Sequence, residues 1–187
     1  DESALVDALG SAEGLIFMAM APDYSGFELE VQVNVLGVDT ALKAAIEAGI
    51  KHVVHTSSVS VHDEGRGEFL SEELPLDSRG TYGQTKGMGE MVCMRHCAGK
   101  DLSVIALRLY APSPPERVQE HCGKAKPSGF TTFRDTAAAY DAALRLTDHE
   151  GFDAVFISGD HTGTYVNCEK AAQLLGWQVQ DRCPNIC

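Results

Sequence analysis

Two kinds of apolar pattern alternate along the chain. Short continuous runs have the length of strands buried on both faces: LIFMAMA over 15–21, KHVVHTSS over 51–58, LSVIALRLY over 102–110 and FDAVFISG over 152–159. Pro22 ends the first of them. Between the runs the apolar residues take helical spacing. SALVDALG predicts a short helix over 3–10, ending at Gly10. A longer helix is predicted over 27–48, with Val31, Val35, Val38, Leu42 and Ile46 on one stripe and Gly49 as its stop. Further helices are expected over about 81–98, over 131–146 with Thr132 as its cap, and over 166–176 closed by Gly176. Residues 62–80 form a long polar loop, prolines and glycines keep 111–129 irregular, and the tail from Trp177 carries no clear element.

Strands that alternate with helices predict an α/β fold: a Rossmann-like doubly wound parallel sheet with right-handed crossovers. A length of 187 residues suits one domain. In such sheets ligands bind at the carboxyl ends of the strands, where MAMAP, TSS and RLY stand.

The net charge of −12 argues against nucleic acid and anionic membrane surfaces as partners, since both need basic patches. No window approaches the roughly 20 apolar residues of a membrane helix, and no signal peptide is visible. Six cysteines, at 93, 97, 122, 168, 183 and 187, are expected as reduced thiols of a cytoplasmic protein, because a chain this size needs no disulfide framework. Cys183 and Cys187, near the end, are the pair placed to oxidise. Cys93 and Cys97 lie one helical turn apart beside His96, but zinc pairs usually come in two matched sets, so no metal is expected.

The chemistry concentrates in TYGQTKGMGE, residues 81–90. Tyr82 and Lys86 are four apart, which stacks them on one helix face. An ammonium beside a phenol favours the phenolate and lowers the phenol pKa from about 10. Upstream, Thr56, Ser57 and Ser58 offer hydroxyls at a strand end. Ser, Tyr and Lys in this order suggest alcohol–carbonyl chemistry. Gly87 and Gly89 each cost a helix roughly 1 kcal/mol and suit a closely packed neighbour. Arg108 is expected to pair with an acid, and Asn34 is a polar residue within a helix that suits either solvent or a ligand.

Several blocks together resemble the extended short-chain dehydrogenase/reductase family, the NAD-dependent epimerase/dehydratase group. NVLGVDTALKAAIEAGIKHVVHTSS is similar to its N-V-x-G-T helix and the strand that ends in the catalytic serine. TYGQTKGMGE matches Y-G-x-[ST]-K-x-x-x-E, LRLYAP is similar to L-R-x-x-x-x-x-P, and FRDTAAAYDAAL is similar to R-D-[VT]-A-x-A. The short region after Tyr110, with the SGD and LLGW stretches, resembles the compact uronate dehydrogenase-like branch. The resemblance implies Tyr82 as acid/base, Lys86 lowering its pKa and contacting the nicotinamide ribose, and Ser58 hydrogen-bonding the reacting oxygen. It implies Ala19, Met20, Ala21, Asn34, Thr56, Ser57, Lys86 and Leu109 along an NAD or NADP cofactor. Ser58 and Arg117 would face substrate, Arg117 as a carboxylate clamp in a substrate-side loop over 111–130.

The implied activity is hydride transfer between nicotinamide and a small sugar, sugar-acid or polyol. A nucleotide-sugar epimerase or dehydratase is one alternative; a non-catalytic binding or regulatory protein of the same fold is another. The resemblance also implies a homodimer through the helices 27–48 and 82–98. The glycine-rich G-x-x-G-x-x-G turn of the family does not occur in these residues. The chain is therefore expected to be an amino-terminally truncated NAD(P)-binding domain over 1–187, lacking the first strands of its sheet.

Overall fold

The computed structural model describes residues 1–22, 25–63, 69–99, 101–122 and 129–183. They run α1 (Glu2–Leu9), β1 (Leu15–Phe17), α2 (Phe27–Val31), a π-helical turn (Gln32–Leu36), α3 (Gly37–Glu47), β2 (His52–Ser58) and a 3-10 turn (Val59–Val61). Then follow α4 (Thr81–Cys97), β3 (Ser103–Leu109), β4 (Pro112–Ser113), α5 (Pro115–Gln119), β5 (Thr131–Thr132), α6 (Phe133–Leu144), β6 (Gly151–Ile157) and α7 (Glu169–Leu175). Four strands form one sheet in the order β1-β2-β3-β6. All its pairings are parallel, with Val54 beside Ile105 and Ala106 beside Ala154. The expected parallel α/β sheet is thus present.

Both faces of the sheet are covered, as a parallel sheet requires. On one face Val53 and Val104 pack against Val38, Leu42, Ala45, Cys93 and Cys97 of α3 and α4. On the other, Val54, Ile105, Leu107, Val155 and Ile157 pack against Ala139, Tyr140, Ala143, Ala171 and Trp177. Successive residues of β2 and β3 alternate between the two cores, which explains why the apolar pairs Val53–Val54 and Val104–Ile105 are consecutive.

The predicted caps hold. Thr132 accepts from the Asp135 amide at 3.1 Å at the start of α6, and Gly176 ends α7 in the left-handed region at φ 65°. The irregular segment after Tyr110 contains β4, which pairs in parallel with β5, and the short helix α5 with Pro115 at its start.

Three expectations are corrected. The first strand stops at Phe17 instead of Ala21, because the Ala21 amide is taken by the Asn34 side chain instead of a strand partner. The long helix 27–48 is broken by a π turn, so its buried face reads Glu30, Asn34, Val38, Leu42, Ala45; Val31 and Val35 are half-buried and Ile46 is exposed. A π turn takes one extra residue, which shifts the stripe. The cysteines are not all reduced thiols: Cys122 and Cys183 form a disulfide, their Cα atoms 5.4 Å apart, because the end of α5 and the tail meet. Cys187, the other half of the expected oxidisable pair, lies outside the described residues. Cys93 and Cys97 are buried free thiols, and burial pushes the Cys97 thiol up to about 11. Among the described residues no cluster of potential metal ligands occurs, and no helix is long and apolar enough to cross a membrane.

Candidate active site

A cleft of about 1100 Å³ opens over the carboxyl ends of β1, β2 and β3. Its floor carries Thr56, Ser57 and Ser58 from β2, Tyr82 and Lys86 from α4, and Leu109 at the end of β3. Tyr82, Lys86 and Ser58 therefore share one cavity, as their order in the sequence predicts. Helix α4 presents both Tyr82 and Lys86 to the cleft because they are one turn apart.

Lys86 is almost wholly buried, at 1% exposure, and its Nζ donates to the main-chain carbonyl of Thr56 at 2.6 Å. Burial lowers its pKa to about 8, although Cys93 and Glu90 pull the other way. Ser58 ends β2, and its Oγ accepts from the Ser60 amide at 3.1 Å, which caps the 3-10 turn and fixes the hydroxyl at the cleft wall.

Ser57 points the other way. Its Oγ donates to Glu90 Oε1 at 2.5 Å, inside a buried network in which Arg108 holds the same carboxylate twice, Nε to Oε1 at 2.9 Å and Nη2 to Oε2 at 2.7 Å. Arg108 thus pairs with an acid, as expected, and stands over the Phe156 ring. His62 adds a contact to the guanidinium at 3.2 Å and one to the Pro75 carbonyl at 2.8 Å. The network ties β2, β3 and α4 together beneath the reactive hydroxyls.

Asn34 is 1% exposed and does not line the cleft. Its Oδ1 accepts from the Ala21 amide at 3.2 Å and its Nδ2 donates to Thr85 Oγ1 at 3.0 Å. It joins the segment after β1 to the helix that carries Lys86. Met18 and Met20 reach the cleft; Ala19 and Ala21 are not among its lining residues. Arg117 lines the cleft, exposed, with its guanidinium 5.1 Å from the centre of the Phe130 ring.

Several lining residues were not foreseen, among them Tyr140, Thr136 and Tyr165. Tyr140 reaches the end of β2. It shares a 2.6 Å hydrogen bond with Thr56 Oγ1, and burial, joined by the nearby Tyr82, raises its pKa. The sequence signal is the i, i+4 pair Thr136 and Tyr140 in an alanine-rich helix, which reads equally well as core packing.

The donor set fits the nicotinamide–ribose end of a dinucleotide: an ammonium, strand-end hydroxyls and the flat apolar Met18, Met20 and Leu109. No glycine-rich turn opens a helix onto the cleft among the described residues.

Known proteins resemble this chain in sequence and in fold. A 3beta-hydroxysteroid-dehydrogenase/decarboxylase of Arabidopsis thaliana is 35% identical over 101 residues, 51% of this chain and 18% of that protein. The chain spans about a fifth of the length of the curated relatives it matches. Among solved structures, uronate dehydrogenase from Agrobacterium tumefaciens superposes with a TM-score of 0.78 at 19% identity, over 97% of this chain and 66% of that one. MoeE5 in complex with UDP-glucuronic acid and NAD superposes at 0.79 with 21% identity, over 96% of this chain and 79% of that one. The model of the NAD dependent epimerase/dehydratase family matches residues 25–134, and the chain belongs to that family.

Proposed function

We propose that the protein of which this chain is part is an NAD-dependent oxidoreductase that interconverts an alcohol and a carbonyl on a small sugar, sugar acid or polyol. The observation that carries this reading is the burial of Lys86 against the Thr56 carbonyl in the cleft that also holds Tyr82 and Ser58. Bound NAD would supply the hydride acceptor. Tyr82 takes the hydroxyl proton as the alcohol carbon is oxidised and returns it in the reverse direction. Lys86 keeps the phenol acidic enough for that transfer and offers its ammonium to the ribose. Ser58, with its oxygen fixed by the Ser60 amide, hydrogen-bonds the reacting oxygen and orients it. Arg117 at the open end of the cleft suits a substrate carboxylate, which a guanidinium meets at two points.

A second reading is a nucleotide-sugar epimerase or dehydratase. The cleft volume of about 1100 Å³ favours it, since that is more room than a monosaccharide and nicotinamide need. NAD reduction by the full-length protein, assayed over uronates, aldoses and UDP-sugars, separates the two. Tyr82→Phe should abolish turnover while the fold survives. Retained turnover would remove Tyr82 from its role, and absence of turnover with every substrate would favour a binding protein.

Phe27, Leu29, Leu36 and Ile46, with Met91 and Met94 of α4, present exposed apolar side chains on the helices expected to dimerise. The reading therefore includes a homodimer through these helices, which sedimentation of the full-length protein would test.

A further inference from the structure

We propose that Tyr140 is a positioning residue for the Tyr82–Lys86 pair: its hydroxyl, bonded to Thr56 Oγ1, fixes the strand-end residue whose carbonyl holds the Lys86 ammonium. This rests on the acid/base reading given above.

Thr56 stands at a weak point of the sheet. Strand β1 pairs with β2 only as far as Phe17 beside His55. From Thr56 onward β2 is paired on the β3 side alone among the described residues, with Thr56 beside Leu107. A strand end paired on one side is free to shift unless side chains hold it. Two do so, from opposite faces of the sheet. Lys86, on α4, donates to the Thr56 carbonyl at 2.6 Å. Tyr140, on α6, shares a 2.6 Å hydrogen bond with the Thr56 hydroxyl. The residue between the two helices is thereby clamped at its main chain and at its side chain.

The clamp matters because the Lys86 ammonium is buried, where a short bond to a carbonyl counts for more than in water. The carbonyl stabilises the protonated amine. If Thr56 turns away, the amine loses that acceptor and gives up its proton more easily. A neutral Lys86 no longer stabilises phenolate at Tyr82. The Tyr140 ring packs in the core with Val54, Leu107 and Ala143, so the ring and the hydroxyl have separable roles. The other groups whose charge bears on Lys86 are Glu90 and Cys93 on α4 and His55 on β2. None of them touches Tyr140 through a hydrogen bond that would confound its removal.

The test is the titration of Lys86, followed by the NMR shift of its labelled ε-carbon in the full-length protein. Tyr140→Phe keeps the ring and removes the hydroxyl. Its expected result is a Lys86 midpoint about half a pH unit lower than in the parent. Thr56→Val cuts the same bond from the other side, so it should move the midpoint equally. The double variant should add nothing further, because both changes delete one interaction. Thr56→Ser, which restores a hydroxyl, should return the midpoint to that of the parent. An unchanged midpoint in Tyr140→Phe and in Thr56→Val overturns the proposal, as does a purely additive double variant. Should Tyr140→Phe fail to fold, the Thr56→Val and Thr56→Ser pair decides alone. The readout needs no turnover. Turnover retained by Tyr82→Phe in the full-length protein would sink the acid/base reading and leave the clamp as measured.

Discussion

Lys86 donates its Nζ to the Thr56 carbonyl from an interior position where burial holds its pKa at about 8, against an ordinary value of 10.5. The fold thus binds the lysine proton more weakly than the unfolded chain does. Stability bound up in such a depressed group is gained as pH rises through the window from about 8 to 10.5, and below 8 the buried cation is a standing cost. A gap of that size corresponds to about 3 kcal/mol. Lys86→Met should therefore stabilise the chain at pH 7 by about 1–2 kcal/mol, once the orphaned Thr56 carbonyl is subtracted. The gain should fade between pH 8 and 10.5. Urea unfolding at pH 7 and pH 10 measures both, and a less stable variant at pH 7 would contradict it.

His55 behaves in the same sense at lower pH. It is fully enclosed, neither ring nitrogen has a hydrogen-bond partner among the described residues, and burial, aided by the Lys86 charge, drives its pKa down to about 3. The unfolded chain takes up a proton near pH 6.5 that the fold refuses. This contribution is intact above 6.5 and drains away as pH falls toward 3, at about 1.4 kcal/mol per pH unit. His55→Leu should make the acid limb of the stability curve shallower by that slope. Equilibrium unfolding at pH 7, 6, 5 and 4 would show it; parallel limbs would refute it.

Glycines 83, 87 and 89 of α4 should respond differently to alanine. A Cβ at Gly87 would meet Leu76 at 3.5 Å, an ordinary contact, so Gly87→Ala should gain up to about 1 kcal/mol from helix propensity. At Gly89 the Cβ would lie 2.7 Å from the Asn34 carbonyl, where α4 meets the π turn. Gly89→Ala should cost roughly 1–3 kcal/mol as the helices part. At Gly83 the added carbon would stand 1.8 Å from the Ser60 carbonyl, and Gly83→Ala should be the most damaging of the three. Melting temperatures rank them, and Gly89→Ala matching Gly87→Ala would be the failing result.

The alternation of strands and helices and the cleft position were legible because continuous apolar runs and helical spacing report burial directly. Tyr82, Lys86 and Ser58 were legible because they lie on regular elements whose geometry is known in advance. Asn34 was ambiguous: the π turn that turns it inward is held by two bonds to residues far along the chain, Ala21 and Thr85. No local pattern encodes those partners. Tyr140 was hidden for a related reason, since its partner Thr56 comes from another element on the far side of the chain order. The Cys122–Cys183 pairing spans 61 residues and depends on where the tail returns, which periodicity does not describe.

That disulfide joins the end of α5, which carries Arg117, to the segment after Asp181. Closing a loop of this length restricts the unfolded chain, and such a bond contributes about 2–4 kcal/mol. Reduction with a dithiol should lower the melting temperature, and Cys183→Ser should lower it equally and make it insensitive to reductant. A melting temperature that ignores both would show that the bond carries no stability.

The Glu90–Arg108 pair is the strongest constraint beneath the site, and breaking it should be costlier than deleting it. Glu90 is wholly buried and accepts from Ser57 Oγ, Arg108 Nε and Arg108 Nη2. Arg108→Met leaves that carboxylate in the interior with the Ser57 hydroxyl as its remaining donor of the three, a loss of about 3–5 kcal/mol. Glu90→Leu leaves an unpaired guanidinium between Phe156 and His62, with a loss of similar size. Replacing both together removes the two desolvated charges at once, so the double variant should be more stable than either single one. Its remaining deficit belongs to Ser57 and His62, each of which loses one bond to the pair. Because Ser57 lies between Thr56 and Ser58, the double variant should also loosen the strand end. The check is a four-way cycle of unfolding free energies, joined by hydrogen exchange at the amides of 56–58. A double variant no more stable than Arg108→Met alone would mean that the ion pair is not what holds these three elements together.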